Sequence, residues 1–520
     1  MDRSKLIEIL IKYKIEPKMI NMIVELYKED ITKVKMGGRE EWIEINSGIK
    51  QGCTASTAFF KMVTYEIIKK MEREGDMLEI DENNINSLFF ADDSILIARE
   101  VESALKNLKI IKEIGKELGL EINEDKSKVM IYKKGMKYRD KVKNIKEIGG
   151  IEIVESMRYL GIEICGGEDI FKKQKVEMKR KAENLSRMTY SIIEKSSNKV
   201  LMGKTFWKGV AVPSFMLGVG VMRFTLEEIE ELQKIENTVY RKILGGRRTS
   251  PKVTLRGEIG ASRVETRIIK SKLTLIKSIM EGKNELIKEI LGNMIRNNKS
   301  KWKKKLEIQM NKVNITYRNI EEKGKKEIKK KITEWDTEEW RKELEEKSTL
   351  EIYKRNKERI GDEGIYDNRR SSRLLYEARA NILDLNDRRR HEKEIEKRIT
   401  TCTLCGGEYE DINHFMLKCE ELEDQRDKEL INRKKGSEED ETIGNLLFVF
   451  EGNDLEEVKG MLLKLWDRRI KILKIKEKGG RGKQGGEREK EKRKRNKKSC
   501  KGWTVNLDTE SVSKTPTSGS

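Results

Sequence analysis

The chain is short of several features that would direct its fold elsewhere. Only four of its 520 residues are proline, so long helices can run without interruption through most of it. The longest uncharged apolar run, residues 209–222, is too short to span a bilayer and contains Pro213, so we interpret it as core. Residues 1–14 alternate charged with apolar side chains, which argues against a secretory signal. We therefore expect an intracellular protein with no membrane segment.

Positive charge is what the chain has in excess. It carries 112 Lys and Arg against 91 Asp and Glu, a formal net charge of +21, which favours a nucleic-acid partner. Close to half of that excess falls in residues 474–501. This composition is typical of a disordered polybasic arm that binds phosphate without sequence preference. It fits a nuclear-import signal equally well.

Two adjacent aspartates form the most informative motif. Asp92 and Asp93 stand between the apolar runs 88–90 and 95–97, a pattern that predicts a buried hairpin with carboxylates at its tip. A carboxylate pair on a rigid element suits divalent magnesium, which prefers hard oxygen ligands. The alternative is a solvated turn with two acidic caps, and the surrounding motifs decide against it.

Four further segments flank the pair. Residues 47–56 form a glycine-containing loop that leads into an apolar helical pattern at positions 59, 63, 67 and 71, and such a loop offers backbone N–H groups to an anion. A second amphipathic helix over residues 105–118 is predicted to end at Gly119. Residues 120–132 indicate a loop running into a strand, and residues 159–162 are a short apolar patch.

In this order the segments resemble the palm of reverse transcriptases, most closely those of non-LTR, LINE-type retrotransposons. The family's Gly-(Val/Ile)-(Arg/Lys)-Gln-Gly-Cys loop is similar to residues 48–53, and its (Tyr/Phe)-Ala-Asp-Asp to residues 90–93. Its Gly-Leu-x-(Ile/Val)-Asn-x-x-Lys is similar to residues 119–126, and its Tyr-Leu-Gly to residues 159–161. Four matches in the correct order argue against chance.

The resemblance implies a role for each matching residue. Asp92 would bind both catalytic magnesium ions, with Asp93 beside it as a further ligand. The substrate-binding residues would be Gln51 and Gly52 against the incoming nucleotide and template, Lys126 near the triphosphate, and Leu160 and Gly161 at the primer end. An RNA template and a DNA primer would be the partners. Without the aspartate pair, Gly52 would be interpreted as a turn glycine and Lys126 as a solvated surface lysine.

Two departures from the family pattern stand out. Residues 54–57 are Thr-Ala-Ser-Thr where the family has Pro-x-Ser-Pro, which leaves that loop less preorganised. Two magnesium ions also need a carboxylate from a second element. In the family it lies in a Phe-x-Asp-x-x-Lys-Ala-Phe-Asp-like strand, which we expect just upstream of residue 1, because residues 1–6 resemble the stretch that follows it. Asp2 is expected to be a helix N-cap and not a substitute ligand.

The predicted fold class is α+β. It combines a partial, ferredoxin-like palm that lacks its first strand with a helical thumb, a helical linker region and a small zinc-binding module. The expected boundaries are 1–165 for the partial palm, 166–295 for the helical thumb and connection, 296–364 for a charged helical region, 365–470 for the zinc-binding C-terminal module and 471–520 for the disordered polybasic tail. An apolar stripe over residues 226–243 predicts a thumb helix that ends at Gly245. Residues 298–360 predict solvated helices with i,i+4 ion pairs.

The second chemical motif is Cys402, Cys405, His414 and Cys419, spaced C-x2-C-x8-H-x4-C. Three of the chain's six cysteines and one of its two histidines fall in this short segment. Soft thiolates with one imidazole suit a closed, structural zinc site, and disulfides are disfavoured inside cells. Residues 406–407, both glycine, supply the tight turn. LINE-type proteins carry a similar element after their thumb.

Arginines close to this motif are predicted to bind nucleic acid together with it: Arg369, Arg370, Arg373, Arg379, Arg388, Arg389 and Arg390. His391 is interpreted as a surface residue and not as a ligand.

Two functions remain open at this point. The first is the RNA-directed DNA polymerase domain of a LINE-type retrotransposon, with catalytic Mg²⁺ and structural Zn²⁺, located in the nucleus and truncated so that it cannot polymerise alone. The second is a non-catalytic nucleic-acid-binding relic with a structural zinc module. The genomic sequence just ahead of the first codon discriminates between them, because an in-frame Phe-x-Asp strand there indicates a truncated gene model.

Overall fold

The computed structural model describes residues 1–80, 83–132, 146–386, 400–407 and 409–480. The chain divides into two compact units. The first unit comprises Met1–Ile243, Leu255–Glu343 and Arg359–Asp362, and the second comprises Leu244–Thr254, Leu344–Glu358 and Glu363–Ser520.

The N-terminal part of the first unit alternates helices with short strands. Its elements are α1 (Arg3–Lys12), α2 (Pro17–Tyr27), β1 (Ile31–Met36), β2 (Arg39–Glu44), α3 (Thr54–Glu74), β3 (Leu78–Ile80), β4 (Asn83–Ile85), β5 (Ser87–Phe90), β6 (Asp93–Leu96) and α4 (Val101–Glu117). The Asp2 carboxylate accepts a hydrogen bond from the Ser4 backbone N–H at 2.7 Å and so caps α1. The prediction that Asp2 is an N-cap is confirmed.

Helices α1, α3 and α4 bury their apolar faces in one core. This core includes Leu6, Val63, Met71 and Ile111. All four apolar positions predicted for α3 are buried in it, and α4 ends next to Gly119, whose φ of +66° suits a residue without a side chain. Both predicted helices of this region are therefore present.

The strands of this region form separate ribbons. Beyond α4 they are β7 (Val129–Met130), β8 (Glu147–Ile148), β9 (Ile151–Val154), β10 (Ser156–Tyr159) and β11 (Ile162–Cys165). The two-stranded sheets are β1–β2, β3–β4, β5–β6 and β10–β11, and β7–β9–β8 is three-stranded. Within the described residues β5 and β6 pair only with each other, so the continuous ferredoxin-like sheet expected from the sequence does not form there. The reason is that β5 and β6, of four residues each, close on each other through the turn between them and leave only a short edge to extend.

Helices make up the rest of the first unit. They are α5 (Lys172–Lys195), α6 (Lys199–Phe206), a π-helical turn (Trp207–Ala211), α7 (Val212–Phe215), α8 (Leu226–Leu244), α9 (Lys252–Ile259), α10 (Val264–Glu281), α11 (Glu285–Arg296), α12 (Lys301–Lys312), α13 (Tyr317–Glu322) and α14 (Lys325–Glu345). The apolar run 209–222 supplies core residues such as Phe215 and Met222, as predicted. Helix α8 spans the predicted apolar stripe.

The charged region 296–364 buries apolar side chains in a core that it shares with the preceding helices. Leu306, Met310, Ile320 and Ile328 are buried in a cluster with residues of α10. On the outer faces, ion pairs at i,i+4 spacing follow the prediction, for example Lys303 with Glu307 at 3.6 Å.

The second unit is also mainly helical. Its elements are a 3-10 turn (Ser348–Leu350), α15 (Glu351–Asn356), α16 (Arg370–Arg379), a π-helical turn (His414–Lys418), a 3-10 segment (Glu420–Gln425), α17 (Lys428–Arg433), α18 (Glu439–Phe448) and α19 (Asp454–Gly480). The prediction that a disordered tail begins at residue 471 is wrong, because Ile472 continues the buried face of α19 and the helix runs to Gly480. Residues 481–520 of the predicted arm lie outside the described residues. No described helix combines the length and apolar character needed to cross a membrane.

Candidate active site and metal centre

The aspartate hairpin, β5 and β6 with the turn between them, presents both predicted metal ligands at its tip. Phe90 is paired with Asp93, so Ala91 and Asp92 form a two-residue turn. Asp92 and Asp93 are exposed, and Phe90 is 61% exposed. The hairpin is confirmed, but the expectation that it is buried is wrong. Asp92 is a turn residue, so the rule that successive side chains of a strand point to opposite faces does not apply to Asp92 and Asp93.

The tip of this hairpin has an uncommon backbone. Ala91 has a φ of +53°, in the left-handed region where glycine is usually found. Side chains in that region cost free energy, and such outliers occur often at functional sites. The strained position lies directly before the two carboxylates.

A second hairpin lies beside the first. The side chain of Tyr159, at the end of β10, is partly buried, and this burial together with the negative charge of Asp93 raises the pKa of its hydroxyl above the ordinary value. An interaction of this kind requires that the two side chains be close. Asp93 and Tyr159 are therefore within electrostatic range of each other, although they are 66 positions apart in the sequence.

The turn of the second hairpin consists of Leu160 and Gly161. Tyr159 pairs with Ile162, and both turn residues have positive φ, +47° and +81°, as in a type I′ turn. Leu160 is exposed. A Cβ at Gly161 would meet the Leu217 side chain at 3.3 Å, so the glycine also allows a close approach.

The loop of Gln51 and Gly52 is held in place by an arginine. Arg3 donates hydrogen bonds to the backbone carbonyls of Gly48 at 3.0 Å and Ile45 at 2.6 Å, and it forms an ion pair with Asp30 at 2.7 Å. Gln51 and Gly52 themselves are exposed just before the N-terminus of α3. The loop is thus anchored at its start and open at the predicted contact residues.

Asp30 was not identified from the sequence, although it supports this loop from the other side. Burial would raise the pKa of its carboxyl group, but hydrogen bonds from Arg3 and Lys50 hold that pKa below the ordinary value. The Lys50 ammonium lies 3.3 Å from Asp30. An acidic residue three positions after the end of α2 carries no sequence signal for such a partner.

Lys126 is exposed, and its backbone hydrogen bond is to a neighbour in its own loop and not to another motif. Its backbone N–H donates to the Asn123 side chain at 3.0 Å, which fixes the turn before β7. Within the described residues its ammonium group has no hydrogen bond or ion pair.

The aspartate hairpin fits a divalent cation in the type of its ligands and not in their number. Carboxylate oxygens are the ligands that Mg²⁺ prefers. Across the described parts of the chain, however, the aspartates do not belong to a group of three or more potential ligands with adjacent ligand atoms. Two metal ions would need further carboxylate from another element.

The cysteine–histidine cluster, formed by Cys402, Cys405, His414 and Cys419, comes together as predicted. The ligand atoms of all four residues lie within 4.8 Å of one another. The two sulfurs of Cys402 and Cys419 are 3.8 Å apart, and the Cys405 sulfur is 3.3 Å from the His414 Nε2. Three thiols and one imidazole at these distances could hold a metal ion in a closed site, with zinc the best match to the donor set.

Backbone geometry prepares this cluster for a cation. Gly406 has a φ of +83°, and its N–H donates to the Cys402 carbonyl at 2.9 Å, which closes the predicted tight turn. A hydrogen bond with the Cys419 thiol and, against the effect of burial, the N–H groups of Cys405 and Leu404 hold the pKa of Cys402 well below its ordinary value. A thiolate is the form of cysteine that binds metals.

A buried ion pair supports the cluster and was not identified from the sequence. Arg469 of α19 donates two hydrogen bonds to the Glu410 carboxylate, both at 2.9 Å, and both side chains are buried. Glu410 lies between the cluster residues in sequence. Its carboxylate also accepts a hydrogen bond from the Asn386 backbone N–H at 3.0 Å and lies 4.0 Å from the Cys402 sulfur. Further along α19, the Lys476 ammonium donates to the carbonyls of Thr403 and Leu404. The cluster is thus fastened to the C-terminal helix.

The predicted arginine surface is only partly present. Arg379 is fully buried, with an ion pair to Glu363 at 2.8 Å and its guanidinium over the Phe448 ring, so its assignment to a nucleic-acid surface is wrong. Arg369, Arg370 and Arg373 are about half exposed but pair with acidic residues of the same unit: Arg369 with Asp367 and Glu456, Arg370 with Asp467, and Arg373 with Glu377. Arg388, Arg389, Arg390 and His391 lie outside the described residues.

Comparison with known proteins matches the N-terminal part. Residues 1–164 fit the family model described as reverse transcriptase (RNA-dependent DNA polymerase). The chain is 23% identical over 239 residues to a retrovirus-related Pol polyprotein from the type-1 retrotransposable element R2 of Bradysia coprophila. That match covers 42% of this chain and 27% of the relative, so the chain spans about a quarter of the relative's length.

Proposed function

We propose that the chain is the polymerase part of a LINE-type element, because residues 1–164 fit the reverse transcriptase family model and the similar protein is a Pol polyprotein of a retrotransposable element. In this proposal it binds an RNA template with a DNA primer in the nucleus. The strands and helices of residues 1–165 serve as the palm and the helices of 166–295 as the thumb. The observation that carries the proposal is the aspartate pair at the tip of the β5–β6 hairpin, inside the segment that fits the reverse transcriptase family model.

The two hairpins have separate tasks in this site. Asp92 and Asp93 provide oxygen ligands for Mg²⁺, which when bound would stabilise the charge that develops on the transferred phosphate. Leu160 and Gly161 form the exposed turn that holds the primer end. The closeness of the hairpins would place that primer end beside the carboxylates, which is the main contribution of the protein to phosphoryl transfer.

The loop around Gln51 and Gly52 supports nucleotide binding. Arg3 fixes the start of the loop, and the free end precedes the N-terminus of the 21-residue helix α3. Helix N-termini favour anions, so a triphosphate is the matching ligand. Lys126 would add a neutralising charge.

The cysteine–histidine cluster has a structural task. We assign it a zinc ion held by Cys402, Cys405, His414 and Cys419, because four ligands leave no open position for chemistry. Together with the exposed arginines Arg369, Arg370 and Arg373 it would offer a surface to nucleic acid.

A second function, nucleic-acid binding without catalysis, is favoured by one observation. Among the described residues the aspartate pair has no adjacent third ligand, whereas the cysteine–histidine cluster has its full set. In both proposals the 520-residue chain binds primer and template, and they differ in whether it can be made to polymerise.

Primer extension on an RNA template with Mg²⁺ tests the proposal. We expect the chain to bind a fluorescent primer–template and to extend it no faster than the Asp92→Asn variant does. Absence of primer–template binding would contradict both functions. Robust synthesis that Asp92→Asn abolishes would establish the polymerase and show that the two carboxylates suffice.

A chimera separates the two functions. A strand carrying the first catalytic aspartate, taken from a retrotransposon relative, is fused ahead of Met1, and the matched control carries asparagine at that position. If the chain is a polymerase part, extension appears only in the aspartate chimera. If neither chimera extends the primer although both bind it, the chain is a non-catalytic binder.

A further inference from the structure

A groove along helix α14 is lined almost entirely by charged side chains. It has a volume of about 530 Å³ and lies within the first unit. The lining residues are Lys326, Lys329, Lys330, Thr333, Glu334, Thr337, Glu338, Arg341 and Arg359. Cations outnumber carboxylates among them by five to two, so the groove favours an anion.

The cations of this α14 groove are mostly available. Within the described residues no acidic side chain pairs with Lys326, Lys329 or Arg359, all of which are exposed. Lys330 makes a loose pair with Glu334 at 3.8 Å, and both of these side chains are more than half exposed. Such surface pairs contribute roughly 0–1 kcal/mol and are readily exchanged for a stronger anion.

Other residues of the groove show how an anion would be recognised. The hydroxyl protons of Thr333 and Thr337 are donated to the carbonyls of Lys329 and Thr333, at 2.9 and 3.0 Å. Donors to a ligand would therefore come from ammonium and guanidinium groups alone. The lining contains no aromatic ring for base stacking and no Asn or Gln for reading base edges.

We propose that the α14 groove binds the phosphate backbone of nucleic acid without reading its sequence. From Lys326 to Arg341 the helix rises about 22 Å, a length over which one strand of a duplex presents about six phosphates. Lys326, Lys329 and Lys330 lie close together at the start of the helix, and Arg341 lies about three to four turns further on, beyond Glu334 and Glu338. Phosphates of such an array would therefore contact the cations at the two ends of the groove. The identity of the partner rests on the proposed function, since a polymerase must track a template.

The salt dependence of binding tests this inference. In the groove variant, Lys326, Lys329, Lys330 and Arg359 are replaced by Gln, which is a good helix former and removes only charge. In the control variant the same four-charge loss is made at Lys299, Lys301, Lys304 and Lys312, which are exposed in the first unit outside the proposed palm and thumb. Affinity for a fluorescent DNA duplex and for one of its single strands is measured between about 50 and 200 mM salt.

For the duplex we expect the slope of log affinity against log salt to fall by about three to four in the groove variant, at about 0.9 per lost phosphate contact, and to change by less than one in the control. A larger loss on the single strand than on the duplex would identify the single strand as the source of the phosphates. Equal losses in the two variants would overturn the inference, and so would an unchanged groove variant, which would leave an acidic protein as the matching partner.

Failure of the groove inference and failure of the proposed function give different results in this experiment. If the wild-type chain binds nucleic acid and the groove variant binds it equally well, only the groove inference fails. If the wild-type chain does not bind nucleic acid at all, the proposed function fails and the groove inference fails with it.

Discussion

The aspartate hairpin and the cysteine–histidine cluster differ in how far their surroundings prepare them for a cation. The hairpin tip is exposed and offers two adjacent carboxylates. The cluster is largely enclosed, brings four ligand atoms within 4.8 Å of one another and is fastened by a buried ion pair. Hard ligands in solvent suit a metal that arrives with its substrate, and soft ligands in an enclosed site suit a metal that holds the fold.

Removal of one cluster ligand should have the largest effect. We expect Cys402→Ser to lower the zinc content of the chain from one ion to none and to unfold the segment around residues 400–425, because structural zinc contributes roughly 10–16 kcal/mol to the folding of small zinc domains. Metal analysis and limited proteolysis measure both effects. Cys53→Ser, outside the cluster, is the control and should retain zinc. A folded, protease-resistant Cys402→Ser chain would contradict a structural role.

Breaking the buried ion pair should have the next largest effect. Arg469→Met leaves the Glu410 carboxylate buried without its partner, which we expect to destabilise the second unit by about 3–5 kcal/mol. Urea denaturation followed by the fluorescence of Trp466 measures this loss. Arg370→Met removes the exposed pair with Asp467 and should cost less than about 1 kcal/mol. Equal effects of the two substitutions would show that Arg469 does not support the cluster.

A substitution in the turn of the aspartate hairpin should raise stability, in contrast to the two destabilising substitutions above. Ala91→Gly removes the Cβ at a φ of +53°, and we expect a gain of about 0.5–1 kcal/mol because glycine adopts this conformation without strain. Slower hydrogen exchange of the β5 and β6 amides would report it. In the helix-interior control Ala58→Gly, the same change should destabilise by about 1 kcal/mol. A destabilising Ala91→Gly would mean that the turn is not strained.

The smallest predicted effect concerns Tyr159. Burial first, and the charge of Asp93 second, raise the pKa of its hydroxyl. Asp93→Asn should therefore lower that pKa toward the ordinary value, as followed by NMR titration of ring-labelled tyrosine with Tyr159→Phe for assignment. Because the folded-state pKa is raised, the associated stability is present below the unfolded pKa of about 10 and is lost as the pH rises through the folded value. An unchanged titration would show that the two hairpins are not neighbours.

Local patterns predict the helices and the cluster well. The apolar spacing of α3 and α8 reports a helical period directly, since each buried position lies three or four residues from the next. The cluster follows from the spacing of its ligands, because a turn at Gly406 is enough to bring Cys402 and Cys405 together. In these regions the information lies within a few residues of the feature that it determines.

Features that depend on distant partners could not be predicted. Arg379 can be buried because the Glu363 carboxylate pairs with its guanidinium and the face of the Phe448 ring packs against it. Neither partner is marked in the sequence. The pair of Glu410 and Arg469 spans 59 positions. The division of the expected sheet into ribbons likewise depends on which strands meet, and apolar alternation does not specify that.

We propose above that the aspartate hairpin and the turn at Leu160 and Gly161 belong to one site, in which the carboxylates bind Mg²⁺ and the turn holds the primer end. Metal-directed cleavage of the protein tests this directly. The chain is loaded with zinc and bound to primer–template, and Fe²⁺ with peroxide then replaces Mg²⁺. The radicals that form cut the polypeptide backbone next to the bound iron. We expect cuts at residues 90–93 and 159–161. Both sets should disappear in the Asp92→Asn, Asp93→Asn double variant and persist in the Asp125→Asn control, which changes an exposed carboxylate elsewhere. Cuts confined to one hairpin, or cuts at both that survive the double substitution, would contradict it.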